Sequence, residues 1–179
     1  MPSYVAFLRA VNVGGRQVKM DKLAEHFKSL GHEDAQTFLT TGNVIFEATD
    51  QTSIALGEQM ESPIEELLGF RSEVFVRNTS ELQAILATAK TLLPNVPNNG
   101  ALNVAFLKAP LTEAQAEILD GLSSPIDEFL VQGTELYWTC RAAQNSSKCS
   151  NGIFESKLKL RSTLRPVGML TELTEKFFA

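Results

Sequence analysis

Apolar positions along this chain fall into short runs of strand type and longer stripes of helical spacing. Tyr4–Arg9 is a short apolar run with β-branched and aromatic members, which predicts a strand. Leu23, Phe27 and Leu30 recur at i, i+4 and i+7 and are followed by Gly31, which predicts a helix with a glycine at its C-terminal end. Phe38–Thr40 and Val44–Phe46 flank Thr41-Gly42-Asn43, the pattern of a tight hairpin in which Gly42 supplies a positive φ. Ile54 to Leu68 reads as a helix, with a break or kink expected where Pro63 removes a donor. Val74–Val76 is a fourth strand, and Thr79 or Ser80 is placed to cap a helix over Glu81–Thr91. The resulting order, β-α-β-β-α-β, is that of the ferredoxin-like plait.

The pattern then repeats. "VAFLRA" at Val5–Ala10 returns as "VAFLKA" at Val104–Ala109, and "FLTTGNVIF" at Phe38–Phe46 returns as "FLVQGTELY" at Phe129–Tyr137. Two matches in the same order predict a duplicated supersecondary unit. The second copy reads as a strand over Leu102–Lys108, a helix capped by Thr112, strands near Phe129–Val131 and Glu135–Thr139, and helical segments after Ser150. Thr112 followed three residues later by Gln115 fits a capping box. The last helix, about Val167–Phe177, is introduced by Pro166. "LLPNVPNNG", Leu92–Gly100, carries two prolines and a glycine and reads as a linker. The expected architecture is α+β, a duplicated ferredoxin-like (βαββαβ) plait with its two units packed together. The expected division is 1–91, a linker over 92–101, and 102–179. In "YVAFL" both faces of the strand are apolar, which predicts cover on both sides.

Composition narrows the class. The chain has 179 residues, 44% hydrophobic and 21% charged, as in ordinary globular proteins. No segment approaches the apolar length of a membrane helix, and "MPSYVAFLRA" lacks a basic signal-peptide start. Two cysteines, Cys140 and Cys149, are too few for a disulfide framework, so reduced thiols and a cytoplasmic location are expected. The net charge of −5 is unevenly distributed: between Arg141 and Arg165 lie six basic side chains and one acid, Glu155. The overall acidity counts against bulk nucleic-acid binding, while a local basic face is compatible with the sequence.

The segments "YVAFLRAVNVGG", "FLTTGNVIFEA" and "VAFLKA" resemble the bacterial proteins grouped as the domain of unknown function 1697 family. The resemblance runs over nearly the whole chain. It implies the same duplicated α+β plait, and it implies no established activity. Near the C-terminus the family pattern is Thr-Thr-Arg-Asn-Trp, whereas this chain reads "TLRPV" over Thr163–Val167, so Arg165 is retained there but the Asn-Trp pair is not.

The repeat isolates one segment for closer reading. Ala10 and Phe38 are separated by 27 residues, but Ala109 and Phe129 by 19. The eight extra residues fall in "VNVGGRQVK", before the first helix, so the plait does not require this loop. Gly14 and Gly15 would let backbone N–H groups approach an anion, helped by the following helix N-terminus. Arg9, Arg16 and Lys19 would add charge-assisted contacts, and Asn12, Thr41 and Asn43 are expected near the same wall. Arg161 and Arg165 from the basic tail would complete it. The loop lacks both the P-loop ending and the dinucleotide G-x-G-x-x-G spacing. A plain turn and a protein-contact loop are the competing readings.

Catalytic raw material is thin. His26 lies inside a helix and His32 just beyond it, positions that suit surface roles. No Cys/His/Asp grouping has metal-ligand spacing, no Gly-x-Ser-x-Gly elbow occurs, and no cofactor motif is present. Tyr137 and Trp138 are adjacent and so face opposite sides of a strand, which counts against a base-stacking platform. The sequence therefore points to a module that binds a phosphate-bearing small ligand, with no cofactor or metal and with its oligomeric state open. Its alternatives are an enzyme acting on a phosphorylated or carboxylated small molecule, and a protein- or nucleic-acid-binding domain.

Overall fold

The computed structural model describes all of residues 1–179. It holds two four-stranded antiparallel sheets and six α-helices, an α+β fold. Two compact units divide the chain, one from Met1 to Leu82 and one from Gln83 to Phe177. The boundary falls within a helix, and the proline-containing segment after it forms only a short 3₁₀ turn, Leu93–Asn95.

In the first unit β1 is Ser3–Leu8, α1 Met20–Ser29, β2 Gln36–Thr37, β3 Asn43–Glu47, α2 Ser53–Leu68 and β4 Val74–Asn78, followed by α3, Thr79–Leu92. The sheet order is β2-β3-β1-β4, so β1 is central and pairs antiparallel to both β3 and β4. One face of β1, through Tyr4, Ala6 and Leu8, joins Leu23 and Phe27 of α1 and Leu56, Met60 and Ile64 of α2 in a core. Val5 and Phe7, on the other face, are also fully buried. The expectation that β1 is covered on both sides is met.

Local chemistry explains most boundaries. α1 ends as expected: Gly31 takes φ 100°, its N–H donates to the Lys28 carbonyl, and the His32 N–H reaches Phe27 O. α2 is capped by the Thr52 hydroxyl, which accepts from Ala55 N, and ends at Gly69 with φ 80°. It runs through Pro63 as one helix, so the expected break does not occur. The helix is held by its packed face, with Met60 and Ile64 flanking the proline in the core. The strand expected over Phe38–Thr40 is shorter and earlier, Gln36–Thr37. Leu39 adopts φ 58°, which ends the extended conformation, and the turn to β3 is longer than a two-residue hairpin. The cap of α3 is Asn78 rather than Thr79 or Ser80. Its Oδ1 accepts from Glu81 N, and Glu81 Oε2 accepts from Asn78 N, both at 2.8 Å.

The second unit contains β5 Ala101–Phe106, α4 Glu113–Asp120, β6 Asp127–Gln132, β7 Glu135–Cys140, α5 Asn151–Leu158, β8 Thr163–Pro166 and α6 Val167–Phe178. The sheet order is β6-β7-β5-β8. The capping box at Thr112 and Gln115 is formed as expected. β8 lies where only helix was expected; its four residues are too few to carry a periodicity of their own. The sheet registers also refine the sequence repeat. Val5 lies opposite Ile45 and Arg77, and Val104 lies opposite Tyr137 and Arg165. Ile45 thus occupies the place of Tyr137, and Phe46 that of Trp138, one residue away from the correspondence the letters suggest. A one-residue slip exchanges the two faces of a strand, and both Phe46 and Trp138 lie in their units' cores.

Candidate functional site

The glycine segment leaves β1 at Leu8 and reaches α1 at Met20. Four of its residues have left-handed backbone: Ala10, Asn12, Gly14 and Gly15, with φ from 58° to 84°. Asn12 is the internal tie of the loop. Its Oδ1 accepts from Val18 N at 2.8 Å, its Nδ2 donates to Thr40 O at 2.5 Å, and its backbone N–H donates to Arg16 O. Asn43 does the same for the neighbouring turn, donating from Nδ2 to Phe38 O and to the Thr41 hydroxyl. Both asparagine side chains are occupied in holding backbone. Gly14 and Gly15 lie exposed at the tip, and their N–H groups take no part in the loop's hydrogen bonds.

Below the tip, three arginines converge on the segment that enters β4. The Arg9 backbone is clamped there, its N–H donating to Glu73 O and its carbonyl accepting from the Ser72 hydroxyl. Arg9 Nη1 lies 3.3 Å from Glu73 Oε2, and Arg71 Nε lies 3.1 Å from Glu73 Oε1. The Glu73 side chain is only 6% exposed, while Arg71 is 70% exposed. Arg16 extends over the Phe70 ring at 5.3 Å from its centroid and donates to Arg71 O at 3.4 Å. The Glu73 carboxylate is thus bracketed by two guanidiniums with a third beside it, while Glu61 Oε1 accepts from Val74 N at 3.2 Å on the same segment. Lys19 is exposed at the N-cap position of α1 and makes no side-chain cap.

Arg71, Phe70 and Glu73 were not among the residues the sequence singled out. Their one signal was an Arg-x-Glu just before an apolar run, which gains meaning only through the β1–β4 register. Arg161 is exposed in the second unit. Arg165 is buried there in β8, donating from Nη1 to Thr163 Oγ1 at 2.6 Å and to Leu164 O at 3.0 Å. Burial lowers its pKa to about 9. A side chain so placed serves the sheet rather than an open wall.

The second unit has its own polar cluster. Asp127 is buried and accepts from Trp138 Nε1 at 2.8 Å, from the Ser147 hydroxyl at 2.7 Å and from the Ser124 hydroxyl at 2.9 Å. Cys149 lies beside it; burial first, then the Asp127 charge, push the thiol above its ordinary value. A thiol shifted in that direction is a poor nucleophile at neutral pH. No grouping of three His, Cys, Asp or Glu side chains is placed to hold a metal ion, and no helix is long and apolar enough to cross a membrane.

Comparison with known proteins agrees with the reading of the strands. Residues 1–137 match the family described as "Protein of unknown function (DUF1697)". The chain belongs to the DUF1697 family. Among solved structures it is similar to a conserved bacterial protein from Streptococcus pneumoniae. The TM-score is 0.69 at 18% identity, over 100% of this chain and 99% of that one. At that identity the likeness concerns the fold. No curated protein matches the chain. The matched region of this DUF1697 member includes the glycine loop and the arginine cluster and ends before β8.

Proposed function

We propose that this chain is a binding module for a small phosphate-bearing ligand, held by Arg9, Arg16 and Arg71 beneath the Gly14-Gly15 tip. The observation that carries the reading is the excess of guanidinium over carboxylate at a point where backbone N–H groups are uncommitted. Glu73 holds Arg9 and part of Arg71 in place, while Arg71 and Arg16 keep exposed faces suited to bidentate contact with phosphate oxygens. Gly14 and Gly15 both have left-handed backbone at the exposed tip and carry no side chain to keep an anion from their N–H groups. The two sheets share one spatial order, in keeping with a duplicated ferredoxin-like plait in which only the first copy carries the loop. The thiols of Cys140 and Cys149 are both free, which suits a reducing cytoplasm.

The test is thermal unfolding with inorganic phosphate and pyrophosphate against chloride at matched ionic strength. The expected result is an increase in Tm with either phosphate that Arg16→Ala and Arg71→Ala each abolish. An unchanged Tm in the parent protein, or an equal increase in both variants, overturns the reading.

A protein-contact role is the second reading, favoured by two exposed apolar side chains on the tied loops. Val13 is 62% and Leu39 52% exposed, and the Asn12–Thr40 hydrogen bond joins their segments. Under that reading, self-association or partner capture is lost in a Val13→Ser, Leu39→Ser variant while the phosphate response is unchanged.

A further inference from the structure

The second sheet ends in a strand whose outer edge is open. The order β6-β7-β5-β8 places β6 at one side, paired only with β7. A two-residue turn, Gly133-Thr134, closes that pair, and Arg141 N donates to Ile126 O at 2.7 Å across its far end. Antiparallel bonding repeats every two residues, so Glu128, Leu130 and Gln132 turn their backbone groups toward β7. Asp127, Phe129 and Val131 turn theirs outward. Asp127 is closed off, its N–H donating to Ser124 O and its carbonyl accepting from Ser124 N. Phe129 and Val131 have no such partner, which leaves two N–H and two C=O groups side by side on the edge.

The other edges are blunted. β2, in the corresponding place of the first sheet, has two residues before Leu39 turns left-handed. β4 is buried from Val74 to Arg77, and β8 is four residues long and ends in Pro166. β6 holds an unbroken six-residue register with β7 and contains no proline, lysine or left-handed residue. Phe129, Leu130 and Val131 are half-buried apolar side chains.

This edge is complementary to itself. Two antiparallel copies of β6 related by a two-fold axis at Leu130 set Phe129 against the second copy's Val131, and Val131 against its Phe129. Each pair exchanges N–H···O bonds in both directions, so four hydrogen bonds use all four open groups. An aromatic residue opposite a β-branched one is a favourable cross-strand pair, Leu130 meets its own copy, and Glu128 stands opposite the neutral Gln132. Neighbouring registers are poorer. An axis at Phe129 sets Val131 against Asp127, whose groups Ser124 already holds; one at Val131 sets Phe129 against Gly133, left-handed in the turn; one at Glu128 sets that carboxylate against itself. We propose that β6 is a self-association edge, through which two copies of this chain form a two-fold dimer with a continuous eight-stranded sheet. The edge shares no residue with the arginine cluster or with Val13 and Leu39, so it is independent of both readings above.

The experiment is sedimentation velocity of the full chain over a concentration series, with thermal unfolding as the check of folding. The expected result is a reversible monomer–dimer equilibrium. Gln132 is exposed, and its Oε1 accepts only from the Thr88 hydroxyl. Gln132→Glu places a carboxylate opposite Glu128 twice and should weaken the dimer about threefold, whereas Gln132→Lys should tighten it by a similar factor. Both changes should shrink as salt is raised. Val131→Pro removes an outward N–H, leaves the bonds to β7 in place and should abolish the dimer. A chain that is monomeric at every concentration overturns the proposal. So does a dimer indifferent to both Gln132 substitutions, including one lost instead in the Val13→Ser, Leu39→Ser variant; the Gln132 pair decides even where Val131→Pro fails to fold.

Discussion

Gly42 shows how a single residue can be fixed by its surroundings. It adopts φ 83°, and a Cβ placed on it would lie 3.1 Å from Val11 Cβ and 3.2 Å from Leu8 Cβ. Its carbonyl also accepts from Leu8 N. Backbone strain and crowding against β1 therefore act together, and Gly42→Ala should destabilise the fold by about 1–3 kcal/mol in urea unfolding. Gly14 differs: nothing lies within 4 Å of an added Cβ, so substitution there meets only the cost of its positive φ. The sequence placed a positive φ at Gly42 from its hairpin position, but the neighbours of a missing side chain cannot be read from the letters. Cys149 gives a second test at this scale. Its thiol is raised from 9.0 in the folded protein, so the unfolded chain loses this proton first. The contribution is complete below pH 9 and declines as pH rises through the folded value. Cys149→Ala should therefore reduce the fall in the urea midpoint between neutral and alkaline pH.

At the scale of elements, the two strand-to-helix junctions carry the same buried arginine followed by different caps. Arg77 faces Val5 and precedes Asn78, which forms a reciprocal box with Glu81; Arg165 faces Val104 and precedes Pro166, which gives α6 no side-chain cap. The stretch "TLRPV" thus leads into a helix without a side-chain cap. Asn78→Ala should cost about 1 kcal/mol, whereas Pro166→Asn should raise stability by up to about 1 kcal/mol, both read from thermal unfolding. The helices and their caps were largely legible, as the Thr112–Gln115 box and Gly31 show, because capping depends on residues a few positions apart. β2 and β8 were not. Strands of two and four residues have too little sequence to show alternation, and their partners lie far along the chain.

At the scale of the whole molecule, the first unit places the arginine cluster at one end of its sheet and an open cavity at the other. β1 joins them through a fully buried, regularly paired strand, which offers no second arrangement for coupling to bias. Saturating phosphate should therefore leave the NMR signals of the His32 ring unmoved, and their movement would show a second conformation of the unit.

The sequence by itself determined the α+β class, the helix ends, the buried central strands and the family, because each rests on local pattern or on long runs of matching residues. It also picked out Arg9, Arg16 and the glycine pair as chemically unusual. Tertiary structure alone decided what surrounds them. It set Glu73 and Arg71 against Arg9 through the β1–β4 register, occupied Asn12 and Asn43 with backbone, and buried Arg165 in β8. It also turned His32, which looked like a residue at a helix end, into an oriented acceptor on a cavity wall. The reason is the same in each case. A side chain's charge and shape are local properties, but its partners are brought from distant parts of the chain by pairing and packing, and partners decide what it can bind.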